Sequence, residues 1–311
     1  MNSMQNKPLV SVVIPTYRRP YMITRAVDSV LNQTYQHIEI FVVDDNDSSS
    51  TERKATEEIM AQYESNLKVT YLQHEKNRNG SVARNTGWRQ SKGKYITYLD
   101  DDDEIAPNKI EEQVKCLESL DESWGACYTA YHIMMPNGRV QKSTTNQSGD
   151  VYLRALMRVL YMGSGSNVLL RKKVVDEIGG YDESFRRNQD IEFMVRAFEK
   201  YKLAYVPKDL LTIHLEQRSS TGSSFQKLDE ISVFYLNKFR SRINSLSYHD
   251  KHRVLAVISL DRARLACYYK EYKKAKRILN EGEVTIFEVF QYFMYLVKRI
   301  ITKQSYGFYL K

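Results

Sequence analysis

The residues with most chemistry to offer are four consecutive carboxylates, Asp100-Asp101-Asp102-Asp103, at the end of an apolar run, Lys94-Tyr95-Ile96-Thr97-Tyr98-Leu99. That run is rich in β-branched and aromatic residues and reads as a buried strand. It would deliver four acidic groups to one edge of a sheet. Charges packed so closely repel, and something positive should relieve them. A hard divalent cation held by one or two carboxylates and by substrate phosphates is one candidate. A solvated acidic turn capping the next helix is the other. Two more polar clusters also follow apolar runs. Pro15-Thr16-Tyr17-Arg18 follows residues 10–14, and Asp44-Asp45-Asn46-Asp47 follows residues 38–43.

The surrounding elements decide whether these clusters can meet. Strand patterns cover residues 10–14, 38–43, 67–72 and 95–99, with a stop expected at Pro15. Helical patterns fall between them. Ile23, Ala26, Val27, Val30 and Leu31 keep helical spacing, a polar helix covers 50–63, and another opens at 80–88. Strands alternating with helices predict a mostly parallel sheet in a doubly wound α/β domain. Right-handed crossovers then place the strand C-terminal ends on one edge, where ligands of such folds bind. Three polar clusters at that edge favour a phosphorylated ligand over plain surface. Further on, Pro107 opens a helix with Ile110, Val114 and Leu117, residues 124–134 and 167–171 read as strands, and 190–201 reads as a helix after Gly179-Gly180.

These landmarks resemble a known family. The order Val-Ser-Val-Val-Ile-Pro-Thr-Tyr (10–17), Val-Val-Asp-Asp (42–45), Ala-Arg-Asn-Thr-Gly (83–87) and Tyr-Leu-Asp-Asp-Asp-Asp (98–103) is similar to the inverting family 2 glycosyltransferases of the GT-A fold. Gly-Tyr-Asp-Glu-Ser-Phe (180–185), followed by Asn188-Gln189-Asp190, extends the likeness to roughly residues 8–220.

The resemblance implies roles position by position. Pro15, Thr16, Tyr17, Asp44 and Asp45 fall at the family's nucleotide site, where a carboxylate accepts a base N–H and the turn packs on the ring face. Tyr17 reads equally well as a half-buried turn aromatic. Arg84 and Asn85 fall in the segment that closes over the donor, although Arg84 could simply pair with a neighbouring acid. Asp100 and Asp102 match the Asp-X-Asp pattern, Asp100 near the ribose and Asp102 on Mn²⁺ or Mg²⁺. Asp101 is grouped with the nucleotide-binding set, and both Asp101 and Asp103 also read as supporting or capping residues. Asp190 stands where the family carries its catalytic base, usually as Glu-Asp; here Gln189 precedes it. One carboxylate suffices to accept the acceptor hydroxyl's proton, and the competing reading of Asp190 is an N-cap. His214 lies in a late segment where a histidine can bind metal or phosphate, although a lone histidine is as readily structural. Arg218 and residues 219–224 read as a loop over the diphosphate or as a linker.

The resemblance therefore implies a metal-dependent inverting glycosyltransferase, with a GT-A domain over residues 1–225 and a helical, basic region over 226–311. A nucleotide-sugar donor, a UDP-sugar first among them, would give its sugar to a hydroxyl of a saccharide, lipid-linked or glycoconjugate acceptor, in bacterial surface polysaccharide or glycoconjugate synthesis. A nucleotidyltransferase is the rival enzyme, told apart by release of pyrophosphate. A non-catalytic saccharide-binding protein of this fold is the rival of another class, and the presence of both Asp102 and Asp190 argues against it.

Bulk properties bound these readings. The 311 residues can bury a large core, and 27% charged residues read as globular. Cys116, Cys127 and Cys267 are scattered, which predicts a reducing compartment with no disulfide scaffold or zinc site. The short apolar run near the start predicts no secretory leader, and no uninterrupted apolar stretch reaches the ~18 residues of a membrane span. A cytoplasmic protein is expected, with a peripheral position at the inner face of the membrane as a further option. Residues 226–311 hold 17 Lys and Arg against 8 Asp and Glu, a net +9 out of a total of +8. This asymmetry favours an anionic partner, and no recognised motif supports nucleic acid. Residues 284–301 are apolar nearly all round and read as a buried helix, a homo-oligomer contact or an interfacial membrane helix.

Overall fold

A computed structural model describes residues 7–215, 224–302 and 307–310. The elements run β1 (Val10–Thr16), α1 (Pro20–Leu31), β2 (Ile38–Asp44), α2 (Thr51–Met60), β3 (Val69–Gln73), α3 (Gly80–Gln90), β4 (Tyr95–Tyr98), β5 (Asp103–Ile105), α4 (Lys109–Glu118), β6 (Trp124–Met134) and β7 (Val140–Lys142). They continue with α5 (Tyr152–Leu156), β8 (Leu169–Arg171), α6 (Lys172–Ile178), α7 (Gln189–Phe198), β9 (Lys202–His214), α8 (Phe225–Lys238), α9 (Arg240–Asn244), α10 (Tyr248–Tyr268), α11 (Tyr272–Glu281) and α12 (Ile286–Thr302). Two compact units result. One is Met1–Asp150 with Met162–Glu216, and the other is Val151–Tyr161 with Gln217–Lys311. The sequence pattern did not anticipate that residues 151–161 leave the first unit for the second.

The first unit is built on one sheet of order β3-β2-β1-β4-β8-β6-β9-β5, with β7 beside β6. Strands β3, β2, β1 and β4 are parallel, as their alternation with helices predicts. The other half is mixed: β8 is antiparallel to both β4 and β6, β6 is parallel to β9, and β5 is antiparallel to β9. The reason is the route of the chain. Residues 163–167 bring it to the edge where β4 leaves off, so β8 must run back along β4. Parallel pairing would need a crossover of a dozen or more residues. This reversal carries the loop Gly163-Ser164-Gly165-Ser166-Asn167 to the acid run.

Val10, Val12, Val13 and Ile14 are fully buried, as expected of a strand covered on both faces. Pro15 does not end β1. It pairs with Val43 of β2, and pairing with β4 has already ceased at Val13 and Tyr98, so its missing N–H breaks no ladder there. Pro20 opens α1, where a fixed φ and a lost donor cost little. Ile23, Ala26, Val27 and Val30 turn inward beneath the sheet.

In the second unit, α10 and α11 pack through Ala263, Ala266, Ala275 and Ile278, with Phe225 of α8 alongside. Buried Tyr235 of α8 donates its hydroxyl to the carbonyl of Leu156 at 2.9 Å, which ties α5 to the helices. Cys116, Cys127 and Cys267 are free thiols.

Candidate active site

The acid run sits just past β4, and its four carboxylates have different surroundings. Asp101 is completely buried. Thr16, at the end of β1, donates its hydroxyl to Asp101 Oδ2 at 2.7 Å, and Arg19 NH2 lies 2.7 Å from Oδ1. The other arm of Arg19 pairs with Asp102. Arg19 is the residue before α1 and makes no side-chain cap, because its guanidinium bridges two acids instead. Arg25, one turn into α1, donates to the backbone carbonyl of Asp102 at 2.7 Å. Asp103 begins β5 and takes hydroxyls from Ser164 at 2.7 Å and Ser166 at 2.5 Å. The Ser166 hydroxyl also accepts the backbone N–H of Asp100 at 3.0 Å. Burial pushes Asp101 up to about 7 against the pull of Arg19, and pushes Asp103, with Asp100 nearby, up to about 7 as well.

Arg84 lies between Asp100 and Asp190. Arg84 of α3 reaches Asp100 Oδ1 at 2.6 Å and Gln189 Oε1 at 3.2 Å, and its guanidinium lies 5.4 Å from the ring centroid of Tyr181. Burial works against its charge, but Asp100 and Asp190 outweigh it and hold the guanidinium above its ordinary value. Asp190 is the second residue of α7, so it is not the N-cap; that place belongs to Asn188. Tyr181 donates its hydroxyl to Asp190 Oδ1 at 3.2 Å, and Oδ2 has no hydrogen bond among the described residues. Burial, with Asp100 adding repulsion, raises the Asp190 carboxyl above the usual range, while Arg84 and the Tyr181 bond oppose the shift. Gly165 lies against this carboxylate. A Cβ there would sit 3.0 Å from Asp190 Oδ1 and 3.3 Å from Oδ2.

The loop before Asp190 is held by Asn85. Its Oδ1 accepts the N–H of Tyr181 at 2.8 Å and its Nδ2 donates to the Tyr181 carbonyl at 2.9 Å. The fully engaged amide anchors the Tyr181 loop, a role different from the donor contact that its motif suggests. Gly180 has φ +75, and a Cβ would meet Asn85 Oδ1 at 2.5 Å, so only glycine suits this turn.

Asp44 and Asp45, which the resemblance puts at the nucleotide base, are engaged by the chain's own donors. Asp44 is completely buried; Oδ1 takes both the N–H and the side-chain amide of Asn46, and Oδ2 takes the Tyr71 hydroxyl at 2.5 Å with Arg53 Nε at 2.9 Å. Asp45 Oδ1 meets His74 Nδ1 at 2.7 Å and the N–H of Arg78 at 2.9 Å. Its Oδ2 takes the Asn77 amide at 2.8 Å and the N–H of Asn79 at 2.9 Å. A carboxylate has about four acceptor positions; those of Asp45 are filled, and Asp44 accepts three hydrogen bonds beside its ion pair with Arg53. A base N–H could bind Asp45 only if one internal donor gave way. Asp45 instead fixes residues 77–79, which lead into α3 and so place Arg84.

Pro15 and Tyr17 are half-buried beside Thr16, and the Arg18 guanidinium lies 5.1 Å from the Tyr17 ring centroid. Backbone strain marks this turn: Arg18 has φ 58, with its N–H on Asn46 Oδ1 at 2.8 Å. His214 ends β9 and faces Glu104 at 3.3 Å. Arg218 and residues 219–223 lie outside the described residues, and Ser224 caps α8.

No group of three or more His, Cys, Asp or Glu able to hold a metal occurs among the described residues. The donors fit a cation held partly by its substrate. Asp103 pairs with Ile213 across β5 and β9, so Asp102 and His214 come next along the same two chains. One carboxylate and one imidazole with phosphate oxygens make a plausible shell for Mn²⁺ or Mg²⁺. Such a cation would compete with Arg19 for Asp102. Arg19, Ser164 and Ser166 lie outside the motifs, and Tyr181 lies within one that assigns it no role. The Gly-Ser-Gly-Ser run was visible in sequence, but nothing there showed which acid it would meet.

The sequence profile described as glycosyl transferase family 2 matches residues 11–179. An uncharacterized glycosyltransferase of Rickettsia prowazekii is 31% identical over 72% of this chain and 69% of its own length. A putative teichuronic acid biosynthesis glycosyltransferase of Bacillus subtilis is 36% identical over 42% of this chain and half of its own length. Among solved structures, S. aureus TarS 1–349 in complex with UDP-GlcNAc aligns with a TM-score of 0.63 at 18% identity, over 96% of this chain and 93% of that one. The mannosyltransferase PcManGT from Pyrobaculum calidifontis, in complex with GDP-Man and Mn²⁺, aligns with a TM-score of 0.58 at 16% identity, over 95% and 81%.

Proposed function

The chain belongs to glycosyl transferase family 2 and is a glycosyltransferase, and from that premise we propose that it inverts the anomeric carbon of a nucleotide-sugar in a single displacement, with Asp190 as base. The acceptor oxygen forms a bond to the anomeric carbon as the bond from that carbon to the diphosphate oxygen breaks. The hydroxyl proton goes to Asp190, and the nucleoside diphosphate leaves.

The observation that carries the reading is the placement of Asp190. It stands in the first turn of α7, one oxygen held by Tyr181, the other without a hydrogen bond among the described residues, and Arg84 links it to Asp100. A carboxyl above the usual range is a better proton acceptor near neutral pH. Arg84 and the positive end of α7 keep it ionised for that task. Asp102 and His214 would hold Mn²⁺ or Mg²⁺, which when bound offsets diphosphate charge. Thr16 and Arg19 hold Asp101 in place, and the serines at 164 and 166 hold Asp103, so the acid run keeps its shape. Asp100 would face the ribose, and Pro15, Thr16 and Tyr17 the base. Asp44 and Asp45 would position that site from behind.

A UDP-sugar donor is favoured, since the TarS structure named above contains UDP-GlcNAc; the PcManGT structure, which contains Mn²⁺, supports a divalent cation. The teichuronic acid relative supports a role in surface polysaccharide synthesis, with a saccharide or lipid-linked acceptor as our reading. The test is a nucleotide-sugar panel with Mn²⁺ and with EDTA, scored for the released product. Nucleoside diphosphate released only with a divalent cation is expected. Pyrophosphate release would point to nucleotidyl transfer, and full turnover in EDTA would remove the cation.

A further inference from the structure

Helix α12 is fixed on one side and bare on the other. Its start is a reciprocal capping pair: Glu288 accepts the Thr285 N–H at 2.8 Å, and the Thr285 hydroxyl accepts the Glu288 N–H at 3.2 Å. His252 of α10 reaches the same Glu288 at 2.8 Å. Tyr292 is buried, takes a hydrogen bond from Arg264 Nε at 3.2 Å, and packs its ring against Tyr295 and Phe308. These contacts set the rotation of the helix on the second unit.

The opposite face is apolar along its whole length. Ile286, Phe290, Phe293, Val297 and Ile300 alternate by four and three residues, and Phe287, Met294 and Ile301 widen the stripe. Ile286 is 90% exposed, Phe287 67%, Phe290 58%, Phe293 57% and Ile300 75%. At about 150–250 Å² for a large side chain, the bare face amounts to roughly 800–1,000 Å². The largest apolar patch of an ordinary monomer is about 300–600 Å². A patch larger than that marks an interaction site.

We infer that α12 lies on an anionic lipid surface with this face in the headgroup–acyl boundary. Charge chooses the occupant. The region from Gln226 onward carries 17 Lys and Arg against 8 Asp and Glu, and Lys298 and Arg299 are exposed at the end of the helix. Two copies meeting through α12 would bring two such positive regions together, whereas anionic headgroups neutralise them. The stripe is also wider than the narrow seam of a paired helix, and it holds no polar residue to set a register. No described helix is long and apolar enough to cross a membrane, and the Tyr292 side of α12 is occupied by protein. The helix, about 25 Å long, lies on the surface. This inference stands apart from the catalytic reading, since it uses no residue of the acid run.

The experiment is co-sedimentation of the full chain with vesicles of phosphatidylglycerol and phosphatidylcholine, and of phosphatidylcholine alone, across a salt series. Binding to the anionic vesicles, weak binding to the neutral ones and release as salt rises are expected. The double variant Phe290→Ser with Phe293→Ser should bind at least about tenfold more weakly with an unchanged melting temperature, because both rings are exposed. The companion variant Lys298→Gln with Arg299→Gln should lower binding only to the anionic vesicles. Equal binding to both vesicle types overturns the charge argument. Binding unaffected by the serine variant overturns the assignment to α12. Failure to bind vesicles, with a dimer in sedimentation velocity that the serine variant splits, assigns the face to a second copy instead.

Discussion

Two groups of aspartates stand at the same sheet edge and are built in opposite ways. After β2, Asp45 has its acceptor positions filled by His74 and the residues at 77–79, and Asp44 accepts from Asn46 and Tyr71 beside an ion pair with Arg53. After β4, Arg19 bridges Asp101 and Asp102, and Arg84 lies between Asp100 and Asp190. Burial raises Asp101, Asp103 and Asp190 above the usual range. The first group is satisfied by the chain alone. In the second, burial works against the charge of three carboxylates, the kind of perturbation that gathers at functional sites.

Breaking the second group should destroy activity and spare the fold. Asp190→Asn should lower turnover by roughly 10²–10⁴ with donor affinity nearly unchanged. Acceptor-saturated product release and donor titration calorimetry separate the two quantities. Near wild-type turnover would show that Asp190 has no role in proton transfer. Asp102→Asn should cost roughly a hundredfold in turnover with Mn²⁺ and weaken donor binding only when the cation is present, while thermal melting without metal stays within a degree or so.

Breaking the first group should do the reverse. Asp45→Asn puts an amide N–H₂ where donors converge, leaving buried polar groups unpaired. It should lose about 2–4 kcal/mol in urea unfolding, more than any single substitution in the acid run. A loss below about 1 kcal/mol would mean that the loop at 77–79 is held by other contacts.

The smallest effect sharpens the contrast at one atom. Gly165→Ala places a methyl group 3.0 Å from Asp190 Oδ1 and crowds the carboxylate by a few tenths of an ångström. Turnover should fall by roughly tenfold, with KM for the donor unchanged. In the wild type, turnover should decline as pH falls through a midpoint above the ordinary aspartate range, since the base must be ionised and its carboxyl is raised. The alanine variant should move that midpoint higher still. A pH–rate profile identical to the wild type would detach Gly165 from Asp190.

Much of this contrast was legible in the sequence. The three polar clusters, the alternation of strands and helices and the likeness over residues 10–103 located the edge and the acid run. Asp190 was legible through its spacing from Gly180-Tyr181-Asp182 and as the start of a helix, but Asn188 as the N-cap was not, because an aspartate at the start of a helical pattern can itself be the cap. β9 was missed because Pro207-Lys208-Asp209 interrupts its alternation. The sheet absorbs that interruption with a register shift between Val206 and Asp209. β5 escaped notice because it is three residues long and begins inside the acid run.

By itself the sequence determined the strands at 10–14, 38–43, 67–72 and 95–99, that the second and fourth of them end in carboxylates, and that the last part of the chain is helical and basic. Periodicity and charge count are local quantities, and the chain states them without folding. Only the tertiary structure decided which aspartates are satisfied and which are not. The answer depends on donors far away in sequence: Thr16 and Arg19 for Asp101, Ser164 and Ser166 for Asp103, and Arg84 between Asp100 and Asp190. It also decided that one face of α12 is packed and the other bare. A helix apolar all round has no preferred side until Tyr292 and Glu288 find their partners.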